Sequence, residues 1–284
     1  MYCIQTDTKK PFLTQIDPQF SPEQVWLRVA FAGLCRTDVL AAKGVIPVSK
    51  NRILGHECAG VIEYSPEGCP LSEGARVTVN PLHLERFLGV HVDGAFAEFV
   101  ALPPETVIPI PNHLSLLKAA FVEPVAAALA TVNTDIHPTQ KGLVLGTGRI
   151  AALTHEILWL KGFHNVSCQP HIRPDSQYDF IVETNIHNCA VDDLLHSLKN
   201  GGLLVLKSRM HTKLAIPSHL VVQKSLRIQG AHYGLFSEAI ALLAQNKIDC
   251  SRYFGPAYSL PMFLDHFFDD EDKKIFCVVD EGIS

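Results

Sequence analysis

A set of metal-binding side chains places the tightest constraint on this chain. Cys35, His56 and Glu57 offer a thiol, an imidazole and a carboxylate, the donors that zinc prefers. Cys35 and His56 stand 21 positions apart, too far for a finger-type pair, so folding must assemble the site. Glu123, next to Pro124, can add another oxygen. Three protein ligands with one open position are typical of catalytic zinc, because water or substrate takes the vacancy.

Each of these residues has a simpler explanation when it is considered alone. A lone cysteine is most often a small buried hydrophobic residue. A lone histidine is more often a hydrogen-bonded structural residue, and a glutamate before a proline is often a charge at a helix start. The ordered combination therefore favours the metal site, and no single residue does.

Five segments of the chain occur in an order that is typical of one protein family. The segments are Gly33–Asp38, Gly55–Glu57, Gly74–Val77, Asp93–Glu98 and Val122–Pro124. Together they resemble the medium-chain zinc alcohol dehydrogenases almost end to end. Glu123 is similar to the polyol and threonine dehydrogenase branch, in which a carboxylate can replace a cysteine ligand. The resemblance implies a zinc-dependent oxidoreductase that forms a homodimer or homotetramer.

The resemblance also implies roles for the residues that follow Cys35. Asp38 is expected to accept a hydrogen bond from His56 and to fix which ring nitrogen faces the metal; a helix N-cap is the alternative. Thr37 is expected to pass the substrate proton onward. Arg36 is expected near the cofactor pyrophosphate, or else it is a solvated surface residue. Leu40 stands where relatives often continue the relay with a histidine, and it cannot carry a proton.

The resemblance predicts one zinc per chain. Cys35 and His56 hold it, and either Glu57 or Glu123 completes the shell. Many relatives carry a second, structural zinc on four cysteines just before the Asp-Gly-Ala-Phe segment, but residues 80–93 contain no cysteine. His83 and His91, in that stretch, are interpreted as surface histidines.

The composition limits the kinds of partner and the cellular compartment that are expected for this chain. The 284 residues are 47% hydrophobic and carry a net charge of −5, and no long basic run exists, so nucleic acid is not expected as a partner. The eight cysteines are scattered and no secretory signal opens the chain, which favours reduced thiols in a cytoplasmic protein. No run of about 18 apolar residues is recognised, so no membrane span is expected.

The chain is predicted to have an α/β fold with two domains. Short apolar segments bounded by Gly and Pro predict strands in the first part, and Ser115 is a predicted helix N-cap. Residues 1–124 and 251–284 form a GroES-like β-rich catalytic domain, with 275–279 as a returning strand. Residues 125–250 form a truncated Rossmann domain, a doubly wound parallel sheet.

The middle of the chain carries a nucleotide-binding motif. A buried strand is predicted over 142–145, followed by Gly146-Thr147-Gly148-Arg149-Ile150-Ala151, which matches G-x-G-x-x-A, and then by a helix to 161. Strand, glycine turn and helix in this order bind a pyrophosphate at the helix N-terminus. NAD or NADP is the expected cofactor, held by Gly146, Gly148, Arg149, Ile150 and Arg36.

The part of the nucleotide-binding motif that would hold the adenosine lacks expected residues. An acidic residue for the ribose is expected about 20 residues on, but the strand over 165–168 leads into Gln169 and Pro170. Arg173 favours a 2′-phosphate, or is simply a loop residue. The next strand, 178–184, follows almost at once, so a crossover of about a dozen residues or more is missing. Weak cofactor binding is therefore expected.

The sequence thus predicts a hydride transfer between NAD(P) and a secondary alcohol or ketone of a polyol-like or amino-alcohol-like substrate. Two alternatives remain open. One is a zinc enzyme without redox chemistry, namely a lyase, isomerase or hydrolase. The other is a catalytically impaired relative, in the extreme a dimerising interaction protein with vestigial sites.

Overall fold

The computed structural model describes residues 1–7, 9–19, 21–173, 177–185, 191–208, 213–269 and 273–280. The chain divides into two units. The first contains Met1–Glu123 and Ile240–Ser284, and the second contains Pro124–Ala239. The junction after Ala239 precedes the boundary at 250 that the sequence predicts.

The first unit is built mainly of strands. They are β1 (Tyr2–Thr6), β2 (Pro11–Gln15), β3 (Val25–Gly33), β4 (Arg52–Ile53), β5 (Glu57–Tyr64), β6 (Arg76–Val79), β7 (Leu82–His83), β8 (Arg86–Phe87), β9 (Phe99–Leu102), β10 (Val107–Pro109), β16 (Phe254–Ser259) and β17 (Lys274–Val278). The main sheet has the order β10-β6-β5-β3-β17-β16, and β9 also pairs with β3. A small sheet, β2-β1-β4, and the hairpin β7-β8 complete the unit.

Strand β3 lies at the centre of the main sheet and is buried along most of its length. It pairs antiparallel with β5 and, at its end, with β17, where Phe276 lies opposite Gly33. As the sequence predicts, the late strand over 274–278 therefore returns to the first unit. This arrangement brings the segments around residues 33, 57 and 274 onto neighbouring strands.

The helices are short, and the longest of them is α4 in the second unit. They are α1 (Arg36–Ala42), α2 (Leu116–Ala119), α3 (Val122–Leu129), α4 (Arg149–Leu160), α5 (Val191–His196), α6 (Ser218–Gln223), α7 (Phe236–Ala244) and α8 (Leu260–Asp265). Ser115 caps α2 as predicted, because its side chain accepts a hydrogen bond from the Lys118 amide at 3.3 Å.

The second unit is a fully parallel sheet of five strands. They are β11 (Gly142–Leu145), β12 (Val166–Gln169), β13 (Tyr178–Glu183), β14 (Leu198–Leu206) and β15 (Arg227–Gly230), in the order β12-β11-β13-β14-β15. Leu143 packs with residues of α5 and α6 on one face, whereas Val144 packs with residues of α4 on the other. Helices on both faces of a parallel sheet define a doubly wound fold, and the predicted α/β fold class is confirmed.

Strands β12 and β13 flank β11 on opposite sides. The connection between them is residues 170–177, and its described residues, 170–173 and 177, contain no helix. A parallel crossover usually needs a dozen or more residues, so this connection is unusually short. The strand order reverses at β11, and ligands of such sheets bind beyond the carboxyl ends of the strands at this point.

One expectation about membranes needs correction. The run Leu116–Asn133 is long and apolar enough to cross a membrane, although the sequence analysis recognised no such run. However, 78% of this run is buried inside the protein. Alanine and valine dominate it because they pack closely in a core, so it is a core helical segment.

Candidate metal centre

The pairing of β3 with β5 determines where the candidate metal ligand Glu57 lies. Gly33, the last residue of β3, lies opposite Glu57, the first residue of β5. A Cβ atom on Gly33 would come within 2.6 Å of the Glu57 Oε2 atom. A side chain at position 33 would therefore displace the Glu57 carboxylate, which Lys274 holds in place.

A buried carboxylate joins the segments that carry Cys35 and His56. The Asp38 Oδ2 atom accepts a hydrogen bond from the Cys35 amide at 3.0 Å. Its Oδ1 atom accepts one from the Gly55 amide at 3.0 Å and lies 3.2 Å from the His56 Nδ1 atom. Since Nδ1 faces Asp38, the Nε2 atom of His56 is the ring nitrogen left for a metal.

Three donor side chains meet at this point. The Cys35 Sγ atom, a ring nitrogen of His56 and a carboxylate oxygen of Glu57 lie within 4.8 Å of one another. His56 and Glu57 are buried and Cys35 is half-buried. In the part of the chain that the structure describes, no second group of three such residues exists.

Glu123, the fourth predicted donor, is not a member of this group of three. It lies in the first turn of α3 and is buried, with 6% of its surface exposed. Its charge raises the pKa of Glu57, so the two carboxyl groups interact electrostatically.

Lys274 is a participant that sequence reasoning missed. It opens β17 and is buried, and its Nζ atom lies 2.7 Å and 2.5 Å from the two Glu57 oxygens. The same ammonium donates to the Leu34 carbonyl at 3.0 Å. A lysine that opens the otherwise apolar run Lys274–Val278 was the available signal, because a charged residue there must find a buried partner.

The field at the centre is strongly negative. Burial alone lowers the pKa of His56, but the Asp38 carboxylate and Cys35 outweigh burial and raise it well above its usual value. A raised pKa means that the surroundings of His56 stabilise a positive charge. A metal ion supplies the same positive charge to the ring nitrogen.

The pKa of Glu57 results from effects of opposite sign. Burial raises its pKa, the Lys274 ammonium lowers it, and Glu123 raises it again, with a raised pKa as the result. Lys274 is the one lysine or arginine that is buried among the described residues, and its ammonium pairs with Glu57, whereas Asp38 and Glu123 are further buried carboxyl groups of the same region. A thiol, an imidazole and this excess of negative charge fit a divalent zinc ion.

The other predicted residues near Cys35 lie in α1. Arg36 is exposed and Thr37 is half-buried in the first turn of this helix. Thr37 stands between Cys35 and Asp38 along the chain, so its hydroxyl is carried by the same turn as the candidate ligand. Leu40 is half-buried further along α1.

The glycine turn of the second unit has the expected construction. Gly146 follows β11 with φ of +147°, and a Cβ there would come within 2.1 Å of the Thr184 hydroxyl. Gly148 is the N-cap of α4 in an extended conformation, and no atom lies within 4 Å of a Cβ placed on it. The fold thus requires the first glycine and leaves open space at the second, as a pyrophosphate needs. Arg149 and Ile150, both half-buried, are the first two residues of α4.

The end of β12 offers no carboxylate. Gln169 ends the strand, and its side-chain amide donates to the Ser167 hydroxyl at 3.1 Å. None of residues 165–173 is acidic. Arg173 is exposed in the short connection that follows.

The chain was compared with known proteins. Residues 21–112 match the alcohol dehydrogenase GroES-like domain. A zinc-type alcohol dehydrogenase-like protein of Haemophilus influenzae is 25% identical, over 91% of this chain and 92% of that protein. The L-threonine 3-dehydrogenase of Ruegeria pomeroyi is 23% identical, over 94% and 92%. A zinc-binding dehydrogenase of Sinorhizobium meliloti, solved with NADP, has a TM-score of 0.85 at 21% identity, over 98% of this chain and 100% of that one.

These similarities confirm the resemblance to the zinc-type medium-chain alcohol and polyol dehydrogenases. The alignment with the Haemophilus protein spans 316 positions, more than the 284 residues here. That relative therefore contains segments that this chain lacks.

The buried ion pair at the centre gives a test of stability. We expect Lys274→Met to lower the free energy of unfolding by about 3–5 kcal/mol, because it leaves the Glu57 charge buried without its partner. The double change Lys274→Met and Glu57→Gln should recover most of this loss, and Lys274→Arg should keep most of the stability. Denaturant titration measures all three. A loss for Lys274→Met below ~1 kcal/mol, the value of an exposed pair, would contradict the assignment.

Proposed function

We propose that the protein is a zinc-dependent oxidoreductase that transfers a hydride between NAD(P) and a secondary alcohol or ketone, with a polyol-like or amino-alcohol-like substrate. The observation that carries the proposal is the buried cluster of Cys35, His56 and Glu57 within 4.8 Å. The similarity to L-threonine 3-dehydrogenase supports the amino-alcohol class. Zinc bound here would polarise the alcohol or carbonyl oxygen as a Lewis acid, and the nicotinamide would carry the hydride.

Cys35 and His56 are the first two ligands in this proposal, and Glu123 is the third. Both oxygens of Glu57 already contact the Lys274 ammonium, which neutralises its charge. Glu123 is buried in the first turn of α3, and its charge raises the pKa of Glu57, so it lies close to the cluster. Glu57 then holds the strand ends in place, with Lys274 as its counter-ion.

Metal analysis tests the ligand set. We expect a zinc stoichiometry near one per chain for the purified protein, because one donor cluster is found in the described residues. Cys35→Ser together with His56→Ala should remove the metal. Glu123→Gln should weaken zinc binding more than Glu57→Gln does, since only the first removes a ligand. A stoichiometry near two, or zinc that survives the double change, would reject the site.

Thr37 is proposed as the first proton acceptor, and Asp38 as the residue that orients His56. A hydroxyl can donate and accept at once, and Thr37 is separated from Cys35 by one residue. Leu40 has no group that can take the proton further, so proton release depends on water. Asp38 keeps His56 oriented through the Oδ1–Nδ1 contact of 3.2 Å.

Steady-state kinetics on Thr37→Val tests the relay. The change keeps the shape of the side chain and removes the hydroxyl, so the rate constant should fall by about 10²- to 10⁴-fold, the usual contribution of acid–base catalysis. Thr37→Ser, which keeps the hydroxyl, is the matched control, and zinc content is checked in both. An unchanged rate in Thr37→Val would remove this residue from the mechanism.

The nicotinamide cofactor is proposed to bind weakly. The glycine turn fits a pyrophosphate, but residues 165–173 offer no carboxylate for the ribose. The loss of one charge-assisted hydrogen bond costs about 1.5–3 kcal/mol, or roughly a ten- to hundredfold change in affinity.

Calorimetry with NAD and with NADP measures this affinity. We expect dissociation constants weaker than micromolar for the protein alone, and NAD binding that is micromolar or tighter would be evidence against the proposal. Gly148→Ala serves as a probe of location, because the fold has room for the added methyl group. Any residual binding of NAD or NADP should be weaker in this variant, while the melting temperature of the protein stays unchanged.

A zinc enzyme without redox chemistry is the second candidate function. The absence of an acid at the end of β12 favours it, since a lyase, isomerase or hydrolase needs no dinucleotide. Fluorescence titration with NADH and NADPH separates the two candidates. Saturable binding of either reduced cofactor supports the dehydrogenase, and zinc-dependent turnover without binding supports the alternative.

A further inference from the structure

We propose that an open groove beside the metal centre binds the anionic end of the substrate, a carboxylate or a phosphate. The groove has a volume of about 490 Å³ and is lined by Pro47, Val48, Ser49, Arg86, Val90 and His91. This inference rests on the proposed function, because it adds a specificity subsite to the same centre. It narrows the substrate from any secondary alcohol to one that carries a negative charge.

Both walls of the groove are continuous with the metal ligands. One wall, 47–49, follows α1, the helix that begins directly after Cys35. The other wall, 86–91, packs against His56, because the ring centroids of Phe87 and His56 are 5.0 Å apart. Gly89 in this wall is so close to the chain before His56 that a Cβ on it would lie 2.9 Å from the Gly55 nitrogen. The segment that forms this wall is therefore in direct contact with a candidate metal ligand.

His91 presents a fixed hydrogen-bond donor to the groove. Its Nδ1 atom accepts a hydrogen bond from the Phe87 amide at 2.9 Å, so Nδ1 carries no proton and Nε2 carries one. The His91 amide in turn donates to the Phe87 carbonyl at 2.8 Å. These two bonds hold the ring in place, and His91 is exposed at the groove. The sequence alone had assigned it to the surface without a role.

Arg86 supplies the positive charge. It is exposed in β8, opposite His83 in the hairpin β7-β8. Among the arginines that the structure describes in the first unit, Arg86 alone has a side chain without a partner among the described residues; the others, each with an interaction, are Arg28, Arg36, Arg52, Arg76 and Arg252. Its five N–H donors match the planar oxygens of a carboxylate or phosphate.

The lining as a whole selects for an anion attached to a short polyhydroxy chain. The Ser49 hydroxyl, the Arg86 guanidinium and the His91 Nε2–H are donors, and none of the six lining residues is acidic. Pro47, Val48 and Val90 form apolar surface against which the carbon chain can lie. A sugar acid or a sugar alcohol phosphate has this combination of charge, hydroxyl groups and carbon chain.

Calorimetry on the zinc-loaded protein tests the groove with three probes of one shape. D-gluconate carries a carboxylate, D-glucitol 6-phosphate carries a phosphate, and D-glucitol is neutral. We expect at least one of the anions to bind about tenfold or more tightly than D-glucitol, through charge-assisted hydrogen bonds. The tighter of the two anions identifies the natural group. The preference should shrink as salt is added, because Arg86 is exposed.

Variants of Arg86 test whether the preference for the anions arises in the groove. Arg86→Gln removes the charge but keeps a polar amide, and it should abolish the preference for the anion, whereas Arg86→Lys should keep part of it. Lys247→Gln, which removes another exposed cation of the first unit, should leave the preference unchanged. Equal affinity for the three probes, no detectable binding of either anion, or a preference that survives Arg86→Gln would each overturn the inference.

The outcome for the groove is distinguishable from the outcome for the proposed function. Anion binding that depends on Arg86, in a protein that oxidises no alcohol, would retain the groove and reject the dehydrogenase. Turnover of neutral alcohols with NAD(P), without any effect of Arg86→Gln on the affinity for the anions, would retain the dehydrogenase and reject the groove.

Discussion

The metal centre depends on one buried carboxylate. Asp38 binds the amides of Cys35 and Gly55 with its two oxygens and contacts the His56 ring. Each contact gains strength from the low dielectric around the carboxylate. Asp38 thereby fixes the turn before α1 to the start of β5, which lies 21 residues later. This contact sets the separation of the donor atoms of Cys35 and His56.

Much of the fold was predictable from local pattern. The bounds of Gly142–Leu145 are those expected from the sequence, because glycine and polar residues interrupt the apolar run on both sides. The cluster around Cys35 was predictable only as an ordered set. Lys274 was missed because it lies 217 positions from its partner Glu57, and no local pattern relates residues at that distance. His91 is exposed, as the sequence predicts, but its hydrogen bond to the Phe87 amide lies within a turn that the sequence pattern does not reveal.

The second unit shows how one motif serves two purposes. Gly146 lacks a side chain because the Thr184 hydroxyl occupies that space, so the fold itself demands it. The described residues leave open space at Gly148, so packing within the protein does not require the second glycine. β12 lies at the edge of the described sheet, which has helices on both faces. Structure and cofactor recognition can therefore diverge within a single glycine turn.

The late position of Lys274 has a consequence for the order of events during synthesis. The ribosome must add 217 residues after Glu57 before the counter-ion of this carboxylate exists. Until then the nascent first unit carries its donor side chains without the strand that completes their sheet, and N-terminal segments ordinarily fold first. The candidate metal centre is therefore complete only when β17 has been made, long after Cys35 and His56.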